Sequence, residues 1–380
     1  MTESITIPAS PSGVADAPEI HPFRVDIPQS DVDDLRQRLT NARWPVQPAE
    51  GWERGVPVDY LRGLVEYWAG GYDWRAAEAE LNAIPQFTTE IAGKQVHFLH
   101  VRSTNPDALP LLMVHGWPGS PVDFTRVLEL LAPDFHLVVP SLPGFGFSAP
   151  GGGMAEATAA FGVLMDRLGY DRYVAQGGDA GAGVIGALSR LHPDRVVALH
   201  VNGPGPMPFG PPLDPDGFTD RDRDRALRFN EFRERGLGYL QVQTTRPHTV
   251  GFGLTDSPVA QLAWIVEKYR EWTDPAAGLP EEAIDRDHIL TSASVHWFTG
   301  TGATSAQFLY ESMSAGGDWG GPTAPTGFAV FAGDLGIRAL FDPDGALPHW
   351  TEYDRGGHFP AMEVPELFAD DVRTWFRTFR

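Results

Sequence analysis

The chain has 380 residues, a formal net charge of −21 at pH 7, a hydrophobic fraction of 42% and no cysteine. The acidic balance disfavours nucleic acids and anionic membranes as partners, because both bind basic surfaces. The lack of thiols excludes disulfides, cysteine-ligated metals and a cysteine nucleophile. A chain of this length and composition can form one large α/β domain with insertions, or two domains.

The first residues do not resemble a secretion signal. Residues 1–19 have neither a basic start nor an apolar run, and no later segment approaches the roughly 20 apolar residues of a membrane span. We therefore expect a cytoplasmic protein without a membrane span, in which residues 1–20 are mobile.

Residues 21–83 show helical periodicity. A first helix carries Leu35 and Leu39, and Ser30 is suitably placed to cap its N-terminus. A second helix, Val58–Gly70, has apolar residues at helical spacing, and a third helix follows it. We interpret residues 21–83 as a helical N-terminal extension that packs on the rest of the chain.

From residue 84 the pattern changes to alternating strands and helices. The run Pro110–Val114 is apolar throughout, as expected for a strand covered on both faces. The alternation predicts an α/β fold with a mostly parallel central sheet and helices on both faces, formed by residues 84–204 and 316–380. Residues 205–315 are mainly helical, and we interpret them as a cap over the carboxyl ends of the strands, where such sheets place their chemistry. Within them, the sequence predicts helices at Arg228–Arg235 and Val259–Trp272, and the stretch Gly236–Leu240 lies in the interval between the two.

The segment Gly177-Gly178-Asp179-Ala180-Gly181 has the pattern of a nucleophile elbow, with aspartate in the central position. The outer glycines are required because side chains there would collide with the neighbouring strand or helix. The turn places the Asp179 carboxylate beside a helix N-terminus, which favours an anion. The alternative is a glycine-rich turn in which Asp179 only caps the helix.

Further segments complete the order of parts in an α/β-hydrolase fold. His115-Gly116-Trp117-Pro118 follows a predicted strand, so the N–H groups of Trp117 and Ala180 can form an oxyanion hole. Asp334 follows the strand Gly327–Ala332, and His358 follows the last strand in a Gly-Gly turn.

Four aspartates are candidates for the acid that supports His358. Asp342, Asp344 and Asp354 lie near Asp334 in the sequence. We favour Asp334 because it comes directly after its predicted strand, where the acid of this fold is expected.

An aspartate nucleophile restricts the reaction. Attack on an ester or amide would give a mixed anhydride, whereas attack on an sp³ carbon with a strained or good leaving group gives a stable alkyl ester. Water activated by His358 would then hydrolyse this ester, and the oxyanion hole would stabilise the developing charge. Epoxides and alkyl halides are the two substrate classes that meet these conditions.

The leaving groups separate these classes. An opened epoxide must be protonated, and a phenol with a pKa of about 10 is a suitable donor. The predicted cap provides Tyr239 and Tyr310. A halide instead needs N–H donors, often from a tryptophan directly after the nucleophile, where this chain has Ala180. The residues therefore favour epoxide hydrolysis.

The motifs resemble those of the microsomal-type epoxide hydrolases, in the form of a soluble bacterial member. The resemblance covers nearly all of residues 21–380. Its main motifs are His21-Pro22-Phe23, Arg43-Trp44-Pro45, Tyr72-Asp73-Trp74-Arg75, His115-Gly116-Trp117-Pro118-Gly119-Ser120, Gly177-Gly178-Asp179 and Gly356-Gly357-His358-Phe359. A stretch of the cap that includes Gly238-Tyr239 and Glu267-Lys268 is similar too.

The resemblance implies an α/β-hydrolase fold with a helical cap, no cofactor and no metal, and a small-molecule epoxide and water as reactants. The implied roles are nucleophile for Asp179, water-activating base for His358, acid partner of the base for Asp334, and epoxide-activating acid for Tyr239. His115, Gly116 and Pro118 belong to the implied substrate-site motif.

Two positions depart from the family pattern. The family has tryptophan after the nucleophile, where this chain has Ala180, so we expect a reshaped pocket floor with the backbone N–H retained. The second cap tyrosine of the family stands two residues before a glutamate. Here Leu309 has that place and Tyr310 comes one residue later, roughly 100° around a helix. Either the helix is shifted or only Tyr239 donates a proton.

Two rival functions stay open at this point. One is a haloalkane-type dehalogenase, and the other is a family member that binds a ligand, or opens an epoxide internally, without hydrolysis. Apolar and aromatic residues in the cap favour an apolar or aromatic epoxide, as a substrate of either secondary metabolism or detoxification. Whether the chain forms a homodimer is also open.

Overall fold

The computed structural model describes residues 19–47, 50–206, 209–218, 220–314 and 321–380. Nine strands in these residues form one sheet. The strands are β1 (Ile20–Pro22), β2 (Gln86–Ile91), β3 (Lys94–Val101), β4 (Leu109–Val114), β5 (Phe135–Pro140), β6 (Tyr173–Gly177), β7 (Val196–Asn202), β8 (Thr326–Val330) and β9 (His349–Glu352). Residues 1–18, most of the segment that we expected to be mobile, lie outside the described residues.

The sheet is mostly parallel, which confirms the predicted α/β fold. Its strand order is β1-β2-β3-β5-β4-β6-β7-β8-β9. The strands from β1 to β3 are antiparallel and join β5 antiparallel, whereas all pairs from β5 to β9 are parallel. Strands β5 and β6 are buried over their whole length, because helices cover both faces of the sheet.

Helices lie between β1 and β2, between several of the later strands, in the long segment between β7 and β8, and after β8. The first are α1 (Gln29–Thr40), α2 (Val58–Gly70) and α3 (Trp74–Ala83). Next come α4 (Thr125–Leu131), α5 (Met154–Arg167) and α6 (Ala180–Leu191). Between β7 and β8 lie the helices that we call the cap, α7 (Asp220–Glu231), α8 (Gly238–Thr245), α9 (Pro247–Asp256), α10 (Pro258–Trp272), α11 (Pro280–Ala283), α12 (Arg286–Thr299) and α13 (Thr301–Ser314). The last are α14 (Arg338–Phe341), α15 (Pro360–Glu363) and α16 (Pro365–Phe376). None of the helices in the described ranges has the length and hydropathy of a membrane-spanning segment.

The N-terminal helices pack on the cap. Trp68 of α2 is buried in one hydrophobic cluster with Leu262 of α10 and Ile289 of α12. The Trp68 indole N–H also donates to Ser294 Oγ (2.9 Å). Since α10 ends at Trp272, which borders the site described below, the N-terminal extension supports one wall of that site.

The starts of two helices differ from the prediction. Helix α1 begins at Gln29, directly after Pro28, and has no side-chain cap. The Ser30 hydroxyl donates to Asp31 Oδ1 instead (3.1 Å), so the predicted Ser30 cap was wrong. Helix α7 already includes Asp220, although the sequence indicated a helix only from Arg228.

A buried network fixes α16 to the sheet. Asp371 of α16 accepts hydrogen bonds from His200 Nε2 of β7 (2.8 Å), His349 Nε2 of β9 (3.0 Å) and the Tyr353 hydroxyl (2.6 Å). Burial alone would raise the pKa of Asp371, but the hydrogen bonds from His200 and His349 hold this pKa far below its usual range. Ionised Asp371 therefore stabilises the fold above its unfolded pKa of about 4, and this contribution is lost as the pH falls.

We expect Asp371→Asn to lower the free energy of unfolding at pH 7 by about 2–4 kcal/mol, because buried donors lose a charged acceptor. Denaturant unfolding measures the change, and the deficit should shrink as the pH falls below about 4. Asp370→Asn is the matched control, since Asp370 is exposed and pairs with Arg373. It should cost about 1 kcal/mol at most. Equal, small losses in both variants would contradict this account of the network.

Candidate active site

Asp179 lies at the tip of the turn between β6 and α6. Its φ of +51° is a left-handed conformation that is uncommon outside glycine. A Cβ on Gly177 would lie 2.6 Å from the Gly181 carbonyl carbon, and a Cβ on Gly181 would lie 2.1 Å from the Val114 carbonyl oxygen. The strand and helix therefore approach each other so closely that both outer positions of the elbow require glycine.

The Asp179 carboxylate does not cap its own helix, since it makes no capping hydrogen bond to α6. Instead Asp179 Oδ1 accepts a hydrogen bond from the Trp117 N–H (2.9 Å), and Oδ2 lies 3.8 Å from His358 Nε2. The Asp179 side chain is 29% exposed. A small molecule can therefore reach a carboxylate that already faces two functional groups.

The loop after β4 is held in place by His115. Its Nδ1 donates to the Gly116 carbonyl oxygen (3.0 Å), and its Nε2 accepts from the Leu142 N–H (3.1 Å). Burial lowers the pKa of His115 to about 3, so the ring stays neutral and can keep these two roles. A Cβ on Gly116 would lie 2.4 Å from the Asp179 Cβ. The motif residues thus serve to bring the Trp117 N–H close to the carboxylate.

His358 is fixed through its main chain. Its N–H donates to the Trp272 carbonyl oxygen at the end of α10 (2.8 Å), and its carbonyl oxygen accepts from Asn202 Nδ2 at the end of β7 (3.3 Å). The His358 ring lies at an angle to the Trp272 ring, with 5.2 Å between the ring centroids. The cap and the sheet therefore both position this histidine.

Asp334 is buried in the loop after β8. Strand β8 ends at Val330, so Asp334 does not follow the strand directly, contrary to the expectation from the sequence. A Cβ on Gly203 would lie 3.2 Å from Asp334 Oδ1 and 3.6 Å from His358 Nδ1, which places the two side chains beside the same glycine. Burial raises the pKa of Asp334 to about 6, against the opposing effects of the Phe331 N–H and the charge of His358. Asp334 is therefore largely ionised at neutral pH.

The three other aspartates have different surroundings. Asp342 accepts hydrogen bonds from Arg338 (3.0 Å) and from the Leu347 N–H (3.0 Å), so it stabilises its own loop. Asp344 and Asp354 are exposed. The charge of His358 is among the influences on the pKa of Asp334, which agrees with a position beside this histidine.

Tyr239 lies on α8 and packs on Trp117 in the loop after β4. Its ring is stacked on the Trp117 ring, with 4.9 Å between centroids and 16° between planes, and meets the Trp272 ring edge-on at 5.3 Å. Burial raises the pKa of the Tyr239 phenol, and the charges of Asp179 and Glu271 raise it further. The phenol is therefore protonated at neutral pH and available as a proton donor.

Lys268 was not assigned a role from the sequence, although it contacts the candidate acid. It is 3% exposed, and its Nζ lies 4.8 Å from the Tyr239 ring centroid and 2.7 Å from carboxylate oxygens of both Glu267 and Glu271. One signal was present: Lys94 and Lys268 are the only lysines in an arginine-rich chain. A lone buried lysine in such a composition indicates a specific contact.

Tyr310 is half-buried on α13 and makes no hydrogen bond or ring contact with any residue that the structure describes. Its neighbour Leu309 packs against the cluster that contains Trp117 and Phe145. The structure therefore brings Asp179, Trp117, His358 and Tyr239 together, with Asp334 beside His358, but does not connect Tyr310 to them.

A cavity adjoins the carboxylate. Its lining includes Trp117, Asp179, Asn202 and His358 together with the apolar Phe124 and Met362. Within the described ranges, no group of three or more histidine, aspartate or glutamate side chains is arranged to hold a metal ion.

Comparison with known proteins identifies the family. Residues 20–124 match the family described as epoxide hydrolase N terminus, and residues 110–245 match the alpha/beta hydrolase fold. The chain is 43% identical to the protein of Stigmatella aurantiaca named "Putative epoxide hydrolase", over 95% of this chain and 86% of the relative. It is 34% identical to epoxide hydrolase 1 of Sus scrofa, over 96% of this chain and 90% of the relative.

Two solved structures have the same fold over almost their whole length. The crystal structure of juvenile hormone epoxide hydrolase from the silkworm Bombyx mori aligns with a TM-score of 0.86 at 30% identity, covering 96% of this chain and 95% of that one. The Aspergillus niger epoxide hydrolase aligns with a TM-score of 0.85 at 32% identity, covering 97% and 98%. The chain therefore belongs to the epoxide hydrolases, the α/β-hydrolase-fold family that its motifs resemble.

Proposed function

We propose that this protein hydrolyses an epoxide to a vicinal diol through a covalent ester of Asp179. In this proposal, the residues that surround the Asp179 carboxylate form and then hydrolyse the ester. The observation that carries the proposal is the position of the carboxylate, 2.9 Å from the Trp117 nitrogen and 3.8 Å from His358 Nε2. A nucleophile beside both a backbone donor and a base suits two successive steps.

In the first step an Asp179 oxygen attacks an epoxide carbon and the ring C–O bond breaks. The alkoxide that is released takes the proton of the Tyr239 hydroxyl, which leaves a 2-hydroxyalkyl ester and a tyrosinate. The raised pKa of Tyr239 keeps this proton in place until the more basic alkoxide forms. Asp179 needs no base in this step, because it is already an anion.

In the second step water attacks the ester carbonyl carbon of Asp179 and His358 accepts a proton from it. The Trp117 N–H and the free N–H of Ala180, the first residue of α6, would stabilise the oxyanion. Cleavage of the acyl–oxygen bond releases the diol, whose oxygen takes the proton from His358. Cleavage leaves Asp179 as a carboxylic acid. Asp179 then loses its proton to solvent, and solvent returns a proton to the Tyr239 phenolate. Ionised Asp334 would stabilise the imidazolium during this step.

The surroundings of the carboxylate favour an apolar or aromatic epoxide. The rings of Trp117, Tyr239 and Trp272 contact one another beside it. The adjoining cavity is also lined by Phe124 and Met362. Such a lining gains free energy by burying apolar substrate surface and offers few partners to a charged substituent.

The test compares leaving groups. Purified protein is incubated separately with aryl epoxides, alkyl epoxides and the corresponding haloalkanes, and diol and halide ion are both quantified by chromatography. We expect diol from apolar epoxides and no enzyme-dependent halide. Halide release without diol would favour the dehalogenase alternative. Epoxide binding without diol, measured by calorimetry, would favour the non-hydrolytic one.

A further inference from the structure

We propose that Arg228 of the cap is a positioning residue for ester hydrolysis, because it holds the loop that carries Asp334. The inference rests on the proposed function, since it takes Asp334 and His358 as the groups that activate water. It gives helix α7 a part in this step, although no α7 residue is among the described residues that line the cavity beside Asp179.

Arg228 binds three consecutive carbonyl groups of the Asp334 loop. Its Nη1 donates to the Gly333 carbonyl oxygen (3.1 Å), and its Nη2 donates to those of Ala332 (3.0 Å) and Asp334 (3.2 Å). The guanidinium group is planar and its N–H directions are fixed, so three bonds at once define the orientation of the loop. A flexible ammonium group would hold the same loop less precisely.

The same loop also lies against the backbone that precedes His358. The Gly333 N–H donates to the Gly356 carbonyl oxygen (2.9 Å), and a Cβ on Gly333 would lie 2.9 Å from the Gly357 Cα. The Asp334 loop is thus confined between Arg228 on the cap and the backbone next to His358. Arg228 therefore helps to set the separation of Asp334 and His358.

Arg228 also contributes charge. Burial is the main influence on the pKa of Asp334 and raises it, while His358 and the two guanidinium groups of Arg225 and Arg228 lower it. Glu363 of α15 is also close to Asp334, but burial raises the pKa of Glu363 to about 8, so it is mostly uncharged at neutral pH. Removing the Arg228 charge would leave Asp334 ionised over a narrower pH range.

The test separates the two half-reactions in Arg228→Gln and Arg228→Lys. Ester formation and ester decay are followed by rapid quench and intact-protein mass, with an epoxide that the wild type hydrolyses. In Arg228→Gln we expect ester formation within about twofold of wild type and decay slowed by about tenfold or more. The pH below which the rate of ester decay falls should also be higher than in the wild type. Arg228→Lys keeps the charge, so its decay rate should fall less, and the pH below which this rate falls should stay near the wild-type value.

Arg221→Gln is the matched control, because Arg221 is an exposed residue of the same helix that pairs with Glu352 at 3.5 Å. Both half-reactions should be unchanged in it. Equal slowing of both steps in Arg228→Gln, or wild-type ester decay, would overturn the inference. If Arg228→Gln does not fold, the rate of ester decay in Arg228→Lys tests the inference instead. A rate equal to that of the wild type would overturn it. Failure of the wild type to form any ester would instead overturn the proposed function.

Discussion

His358→Gln is expected to form the Asp179 ester at close to the wild-type rate and to hydrolyse it roughly 10²–10⁴-fold more slowly. Attack by Asp179 needs no base, whereas attack by water does, and His358 Nε2 is the basic atom 3.8 Å from the carboxylate. The ester should therefore accumulate. Intact-protein mass would show a gain equal to one epoxide molecule, and peptide mapping would place it on Asp179.

Two variants control this result. Asp179→Asn combined with His358→Gln removes the nucleophile, so no adduct should form. His21→Gln changes an exposed histidine of β1 and should leave turnover unaffected. An adduct on another residue, or full turnover by His358→Gln, would rule out the assigned roles of Asp179 and His358.

Tyr239→Phe is expected to slow ester formation by roughly 10²–10⁴-fold, because the epoxide oxygen loses its proton donor. The substitution keeps the ring, so the stacking on Trp117 at 4.9 Å should survive. Hydrolysis of an ester once formed should change little, since the tyrosine acts on the leaving oxygen of the first step. Rapid-quench mass measurements on this variant resolve the two rates.

Tyr310→Phe, measured in parallel, decides between one proton donor and two. Tyr310 makes no hydrogen bond or ring contact with any site residue that the structure describes, so we expect a much smaller loss of ester formation than in Tyr239→Phe. Equal losses in the two variants would mean that both tyrosines donate. Unchanged ester formation in Tyr239→Phe would remove Tyr239 from the mechanism.

The elbow and the His115 loop could be predicted because their backbones permit few residue types. Gly177 and Gly181 have no room for a side chain, and Gly116 lies against the nucleophile itself. Such steric demands leave the same short motif in any sequence that builds the turn. Regular apolar spacing likewise predicted α2 at Val58–Gly70, with the bounds that the structure shows.

The cap was harder to predict because tertiary contacts decide its local structure. The sequence placed Gly236–Leu240 between two helices, but a π-helical turn at Phe232–Gly236 is followed after one residue by α8, which contains Tyr239. Arg225 of α7 is buried and paired with Asp222 and Glu352, and the second of these partners is distant in the sequence.

Sequence motifs also do not predict which face of a helix points to the site, or which side chains bind main-chain groups. The sequence left open whether Leu309 or Tyr310 faces the site. In the structure Phe308 of α13 contacts Phe145 in a buried cluster, and Leu309 packs against this cluster. Arg228 binds main-chain carbonyl groups, which every residue has. No pattern of side chains could have indicated that contact.

A single turnover in H₂¹⁸O, with enzyme in excess over epoxide, tests the covalent route most directly. If Asp179 forms the ester and water attacks its carbonyl carbon, the second oxygen of the diol comes from the carboxylate. The first diol should then contain no ¹⁸O, and the peptide that contains Asp179 should carry the label. Label in the diol of the first turnover, with none in Asp179, would show direct attack by water on the epoxide and would contradict the central claim.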